Sequence, residues 1–148
     1  LFQAVACSTD GAAADLLRLM LLTGVPAADI REARWDDFDL DRRVWILEQP
    51  QSPPSSIKAR PRRVALGDAA VMLLTELHGR ASGQQLFSTL CGDAGTVRIR
   101  TAWHAACESA GMVEMPLESV RPVLATNLFR GLSLTLARKL LGFADRSD

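Results

Sequence analysis

Four bases and no acid fall between residues 58 and 63: Lys58, Arg60, Arg62 and Arg63. Cations this close together suit phosphate, which lysine meets as a point charge and arginine as a two-pronged fork. The same run also suits a solvated hairpin whose charges keep other strand edges away, and both readings stand. Further on, Arg121 follows Glu118 by one helical turn. Such an arginine either holds an anion or is buried against a carboxylate, Asp29 or Glu118. Glu118 itself reads as a solvated or salt-bridged acid rather than a general base, because it has no partner group of its own. His104 and Cys107 are spaced to share a helix face, but no second pair completes a four-ligand set. We read that helix as carrying one polar and one small buried group, and we expect no metal.

The elements that position these residues can be read from periodicity. Asp10 caps a helix over Ala12 to Thr23 whose apolar positions are Ala13, Leu16, Leu17, Met20 and Leu21, and Gly24 stops it. Pro26 suits the first turn of a short helix ending at Ala33. Trp35 to Leu40 reads as a loop with two aromatic anchors. Val44 to Glu48 and Arg62 to Leu66 are β-rich, and the Pro- and Ser-rich stretch from Gln49 to Arg60 between them makes a hairpin with a long mobile tip. Asp68 caps a helix from Ala69 to His78, a turn covers Gly92 to Gly95, and helices follow over Val97 to Ala110 and Leu117 to Phe129, the latter despite Pro122. Ser133 caps a last one through Leu141. Trp35, Trp45 and Trp103 are expected in the core. The predicted fold class is mainly α with a small antiparallel β-hairpin, an α+β architecture.

Composition narrows the class of protein. The chain has 148 residues, 48% hydrophobic and 23% charged, which suits one globular domain and not a disordered segment. The best apolar run, Leu16 to Val25, is too short for a bilayer and is broken by Arg18. Three widely spaced cysteines, Cys7, Cys91 and Cys107, argue against a disulfide framework and for a reducing cytoplasm. The chain opens on Leu1 without a signal-peptide pattern, so a piece of a longer chain is expected. Net charge is zero, which argues against a strongly nucleic-acid-binding module taken whole. The charge is uneven, however. Asp29 to Glu48 holds seven acids against four bases, and Arg98 to Arg146 holds seven bases against four acids. A neutral total therefore permits one basic face.

The order of landmarks resembles the catalytic domain of the tyrosine recombinases, the phage integrase family. Leu21-Leu-Thr-Gly24, Asp29 and Arg34-Trp-Asp-Asp-Phe-Asp-Leu40 are similar to the family's "L-x-T-G-h-R-x-x-E" and "L-x-W-x-D-h-D", where h is apolar. Lys58 and Arg62-Arg-Val-Ala-Leu66 resemble "K-x-x-x-x-R-x-h-P-L". Trp103 to Gly111, Leu117 to Thr126 and Lys139-Leu-Leu-Gly-Phe143 resemble "A-W-x-x-A-x-x-x-A-G", "H-x-L-R-H-T-F-A-T" and "x-L-L-G-H". Each piece is common alone; six in order at plausible spacing are specific. The resemblance implies a tyrosine that attacks a DNA phosphodiester, two arginines that clamp the phosphate, a hairpin lysine that protonates the leaving oxygen, and two hydrogen-bonding side chains. It implies no metal and no small-molecule cofactor. It also implies that the family's N-terminal core-binding domain and tyrosine-bearing C-terminus lie outside this chain.

Carried over residue by residue, the resemblance retains Lys58 and Arg121 at catalytic positions. Pro26 stands where the first arginine belongs, and it has neither a charge nor a backbone donor. Glu118 replaces a histidine and would repel phosphate, and Phe143 replaces a proton donor. The chain contains no tyrosine. The resemblance therefore implies a degenerate recombinase domain that binds DNA through Lys58, Arg60, Arg62 and Arg63 without cleaving it. Two other functions are weighed: an active strand transferase completed by missing chain or by another recombinase protomer, and a protein-interaction module that has given up DNA. No membrane partner is expected.

Overall fold

The computed structural model describes residues 1–47, 61–113 and 115–124. Their order is α1 (Phe2–Ala6), α2 (Gly11–Thr23), α3 (Ala27–Glu32), β1 (Phe38–Asp39), β2 (Val44–Leu47), β3 (Arg62–Ala65), α4 (Asp68–Arg80) and α5 (Gly92–Ser109), with short 3₁₀ turns at Trp35–Asp37, Ser88–Leu90 and Leu117–Ser119. The fold is mostly helical with one three-stranded antiparallel sheet in the order β1-β2-β3, in line with the expected α+β class.

The centre is α2. Its residues Ala13, Ala14, Leu16, Leu17, Leu19 and Met20 are all buried, and it packs against α1, α3, α4 and α5. A helix apolar on nearly every side is a core helix. The Asp10 carboxylate accepts the Ala13 N–H at 3.1 Å to start it. Gly24, at φ 68°, ends it in the left-handed conformation, its N–H donating to the Met20 carbonyl at 2.8 Å. The sheet closes one side of the core. Phe38 pairs with Trp45 and Trp45 with Val64, and Trp45 and Val64 are fully buried. The Phe38 and Trp45 rings stack at 4.8 Å, within the range that adds to plain area burial.

Asp10 also carries an ion pair across the fold. Arg98 of α5 donates to it through Nε at 2.7 Å and Nη2 at 2.8 Å, and reaches the Thr89 carbonyl through Nη1 at 2.9 Å. One carboxylate thus caps α2 and ties α5 to it. The Arg98 hydrogen bond, with further help from Ala13, holds the Asp10 carboxyl below its ordinary pKa against the opposing effect of burial. A depressed folded-state pKa stabilises the fold above the unfolded value and loses that stabilisation as pH falls through the folded one. Asp10→Ala is therefore expected to lower unfolding free energy by about 1 kcal/mol or more at neutral pH through the lost cap. In urea titrations the gap from wild type should narrow below about pH 4. An equal gap at pH 7 and pH 3 would refute this account.

Several boundaries differ from the sequence expectation. Asp68 does not cap α4: Gly67 takes that place, and the Asp68 carboxylate accepts from Arg43 instead. Pro26 is the cap residue before α3 rather than its first turn. The expected loop at Trp35 to Leu40 contains a 3₁₀ turn and β1; Phe38 pairs with Trp45 and stacks on its ring. The expected turn at Gly92 to Gly95 belongs to α5, which starts at Gly92. Residues 117–119 form a 3₁₀ turn and 120–124 continue helically. The expected hairpin tip, the rest of that helix and the helix capped by Ser133 lie outside the described residues. No helix among the described residues is long and apolar enough to cross a membrane.

Candidate functional site

Arg121 is placed by a short chain of contacts. Trp103 is buried on α5, and its indole N–H donates to the Met115 carbonyl at 2.6 Å. That bond fixes the approach to the 3₁₀ turn, after which Val120 inserts into the core at 3% exposure. Arg121 is the next residue and is half-buried. An arginine placed so loses part of its hydration and needs hydrogen-bonding acceptors or negative charge.

Beside it lies a cavity of about 370 Å³, lined among others by Val25, Pro26, Leu117, Glu118 and Arg121. The α2–α3 turn forms one wall and the Leu117–Pro122 segment the other. Pro26 and Arg121 therefore border the same space. Glu118 turns to another partner: its Oε1 lies 3.6 Å from Arg100 Nη2, with both side chains mostly exposed. Such a surface pair adds little stability.

The charge of Asp29 on α3 acts on Arg121. Burial lowers the Arg121 pKa and the Asp29 charge works against that lowering. Arg62 shares this neighbourhood. Its pKa is lowered first by burial and then by the positive charge of Arg121, with Asp29 opposing. Arg62, Arg121 and Asp29 thus feel one another's charge, and all three are half-buried. Both guanidiniums remain charged at any working pH.

The basic run of the sequence is consequently divided. On β3, Val64 faces the core, Arg63 and Ala65 are exposed, and Arg62 is half-buried on the Val64 side. Arg62 does not join Arg63 on one solvated face, as a uniform basic hairpin would require. Lys58, Arg60 and Phe143 lie outside the described residues. His104 is exposed and Cys107 is buried, and no cluster of metal-ligating side chains occurs among the described residues. Sequence reasoning missed the inward aim of Arg62, although the two-residue period of a strand with Val64 as its core residue contains it.

A model of the phage integrase family matches residues 3–148. The integrase of Enterobacteria phage P4 is 26% identical over 103 residues, a stretch covering 64% of this chain and 24% of that protein. The chain thus spans about a quarter of the length of the curated relative it matches.

Proposed function

Because the chain belongs to the phage integrase family, we propose that residues 1–148 form a single catalytic-type domain of a DNA recombination and integration protein, one that binds the DNA backbone in the cytoplasm but does not itself break it. The observation that carries this reading is the cavity beside Arg121, where Pro26 forms the facing wall and Glu118 adds an acid. A phosphate there meets Arg121 but no cation from position 26. Lys58, Arg60, Arg62 and Arg63 supply the remaining positive charge, and this basic run is the natural means of sequence-independent contact. No cofactor enters the reading. Other recombinase protomers are the further partners it implies.

Phosphate binding releases counterions, so affinity falls with salt in proportion to the contacts made. For about four contacts the slope of log affinity against log salt is roughly −3 to −4, or roughly a hundredfold loss between 50 and 200 mM salt. Fluorescence anisotropy with a labelled duplex measures this directly. Replacing Lys58, Arg60, Arg62 and Arg63 together should abolish most of the slope, and Arg121→Ala alone should remove less. Absence of any salt-dependent binding would reject the DNA reading in favour of a protein-interaction module.

A further inference from the structure

We propose that Arg100 of α5 serves as the counter-charge of Glu118, offsetting an acid at the lip of the cavity beside Arg121, and that duplex binding at this wall depends on Arg100 for that reason and not through a contact of Arg100 with DNA. The inference rests on the DNA-binding reading for the identity of the anion. It adds to that reading a positioning residue on an element that does not line the cavity.

The backbone that carries Glu118 is held at both ends. The Trp103 indole N–H donates to the Met115 carbonyl at 2.6 Å, the Ser119 N–H closes a turn on the Pro116 carbonyl at 2.9 Å, and Val120 is buried in the core. Glu118 thus stands between fixed points, and its side chain has a short arc to sweep. Two things lie within that arc. One is the cavity, which Glu118 lines together with Pro26 and Arg121. The other is Arg100, whose Nη2 is 3.6 Å from Glu118 Oε1. Arg100 precedes Trp103 by three residues, so the two are neighbours on the surface of α5. One stretch of this helix therefore holds the segment by a hydrogen bond to its backbone and meets its acid with a cation.

Exposure and charge decide what the pair does. The side chains are 67% exposed for Arg100 and 72% for Glu118, and a pair so placed contributes little to folding. Its effect on an approaching anion is larger. Two unit charges about 4 Å apart change an affinity about fivefold even at the dielectric of water. A lone carboxylate at the cavity lip opposes a phosphate by that order. A carboxylate with a guanidinium beside it presents a dipole, whose field falls off faster with distance. No residue of α5 lines the cavity, so Arg100 acts on the anion through Glu118.

Duplex binding measured in two backgrounds tests this. Arg100→Gln should weaken binding about fivefold and leave the melting temperature at the wild-type value, which separates the effect from a structural one. In a Glu118→Gln background the same substitution should cost little, and the slope of log affinity against log salt should not change. Arg100→Lys should retain most of the affinity, because a single charge at this distance needs no fork. Full affinity in Arg100→Gln would overturn the proposal. So would an equal loss in both backgrounds; a slope lowered by about one would then mark Arg100 as a phosphate contact in its own right. A second readout works without DNA. Inorganic phosphate, against chloride at matched ionic strength, should raise the melting temperature of the wild type more than that of Arg100→Gln, and should raise it equally in the Glu118→Gln protein with or without Arg100. If the wild type bound no duplex, the DNA reading would fall and the phosphate series alone would decide the pair. A shift that depends on Arg100 would sustain it; no shift, or one indifferent to Arg100, would reject it.

Discussion

A nicked duplex of the kind that traps covalent strand-transfer intermediates is expected to yield no adduct with this chain, judged by a DNA-dependent shift on a denaturing gel. The family's reaction needs a tyrosine hydroxyl as nucleophile, and the chain has no tyrosine. A tyrosine supplied by a longer chain or another protomer meets a second obstacle. On the reading proposed above, Glu118 and Phe143 stand at the family's two hydrogen-bonding positions. Loss of one group aimed at charge in the transition state costs about 3–4 kcal/mol, so two losses amount to roughly ten-thousandfold or more, somewhat less if they act as a unit. The carboxylate of Glu118 adds repulsion toward a phosphorus centre that gains negative charge. Mixing the chain with a cleavage-competent recombinase bearing its own tyrosine extends the test. Any adduct that forms on the active site of this chain, or relaxation of supercoiled plasmid by the chain alone, would defeat the non-cleaving reading and support completion by another protomer.

The parts of the molecule legible in the sequence are those fixed by local chemistry. The start and stop of α2 follow from Asp10 and Gly24, whose side chain and φ of 68° act within one turn. The β2–β3 pairing follows from two β-rich runs, and the core placement of Trp45 and Trp103 from their size. What stayed hidden depends on distant partners. β1 is two residues long and exists because Phe38 meets Trp45, which no local propensity announces. Asp68 looks like a helix cap, but Arg43 engages its carboxylate from across the fold. The double role of Asp10 requires Arg98, 88 residues away. At the candidate site, the sequence left Asp29 and Glu118 as rival partners for Arg121. Glu118 lies 3.6 Å from Arg100, and the charge of Asp29 acts on Arg121, neither of which residue spacing announces. Arg62 was grouped with its neighbours by composition, and the pleat of the strand separates it from them.

The largest stability effect from a small change is expected at Gly95. Replacing a glycine inside a helix with alanine ordinarily stabilises by up to about 1 kcal/mol, because alanine loses less backbone freedom on folding. Gly79, near the end of α4, is such a place: nothing lies within 4 Å of where a Cβ would stand, and Gly79→Ala should be neutral to stabilising. Gly95 reverses the sign. A Cβ there would fall 1.8 Å from the Leu90 carbonyl oxygen, 2.3 Å from its carbon and 2.7 Å from its Cα. These are backbone atoms, so no rotamer change relieves the overlap. Leu90 cannot retreat easily, since it is fully buried in the core and its N–H is bonded to the Phe87 carbonyl at 3.0 Å. The remaining way out is to push the Ser88–Leu90 turn away from α5. That movement would also stretch the bond from Arg98 to the Thr89 carbonyl, and with it the tie to Asp10. Overpacking of this kind costs about 1–3 kcal/mol and sometimes more, and backbone overlap puts Gly95→Ala at the upper end, about 3 kcal/mol. For a domain of this length that lowers the melting temperature by roughly 10 °C. Calorimetry of the two alanine variants beside the wild type makes the comparison internally controlled. If Gly95→Ala melted at or above the wild type, the close approach of α5 to the Ser88–Leu90 turn would be wrong, and with it the route by which Arg98 joins α5 to the start of α2.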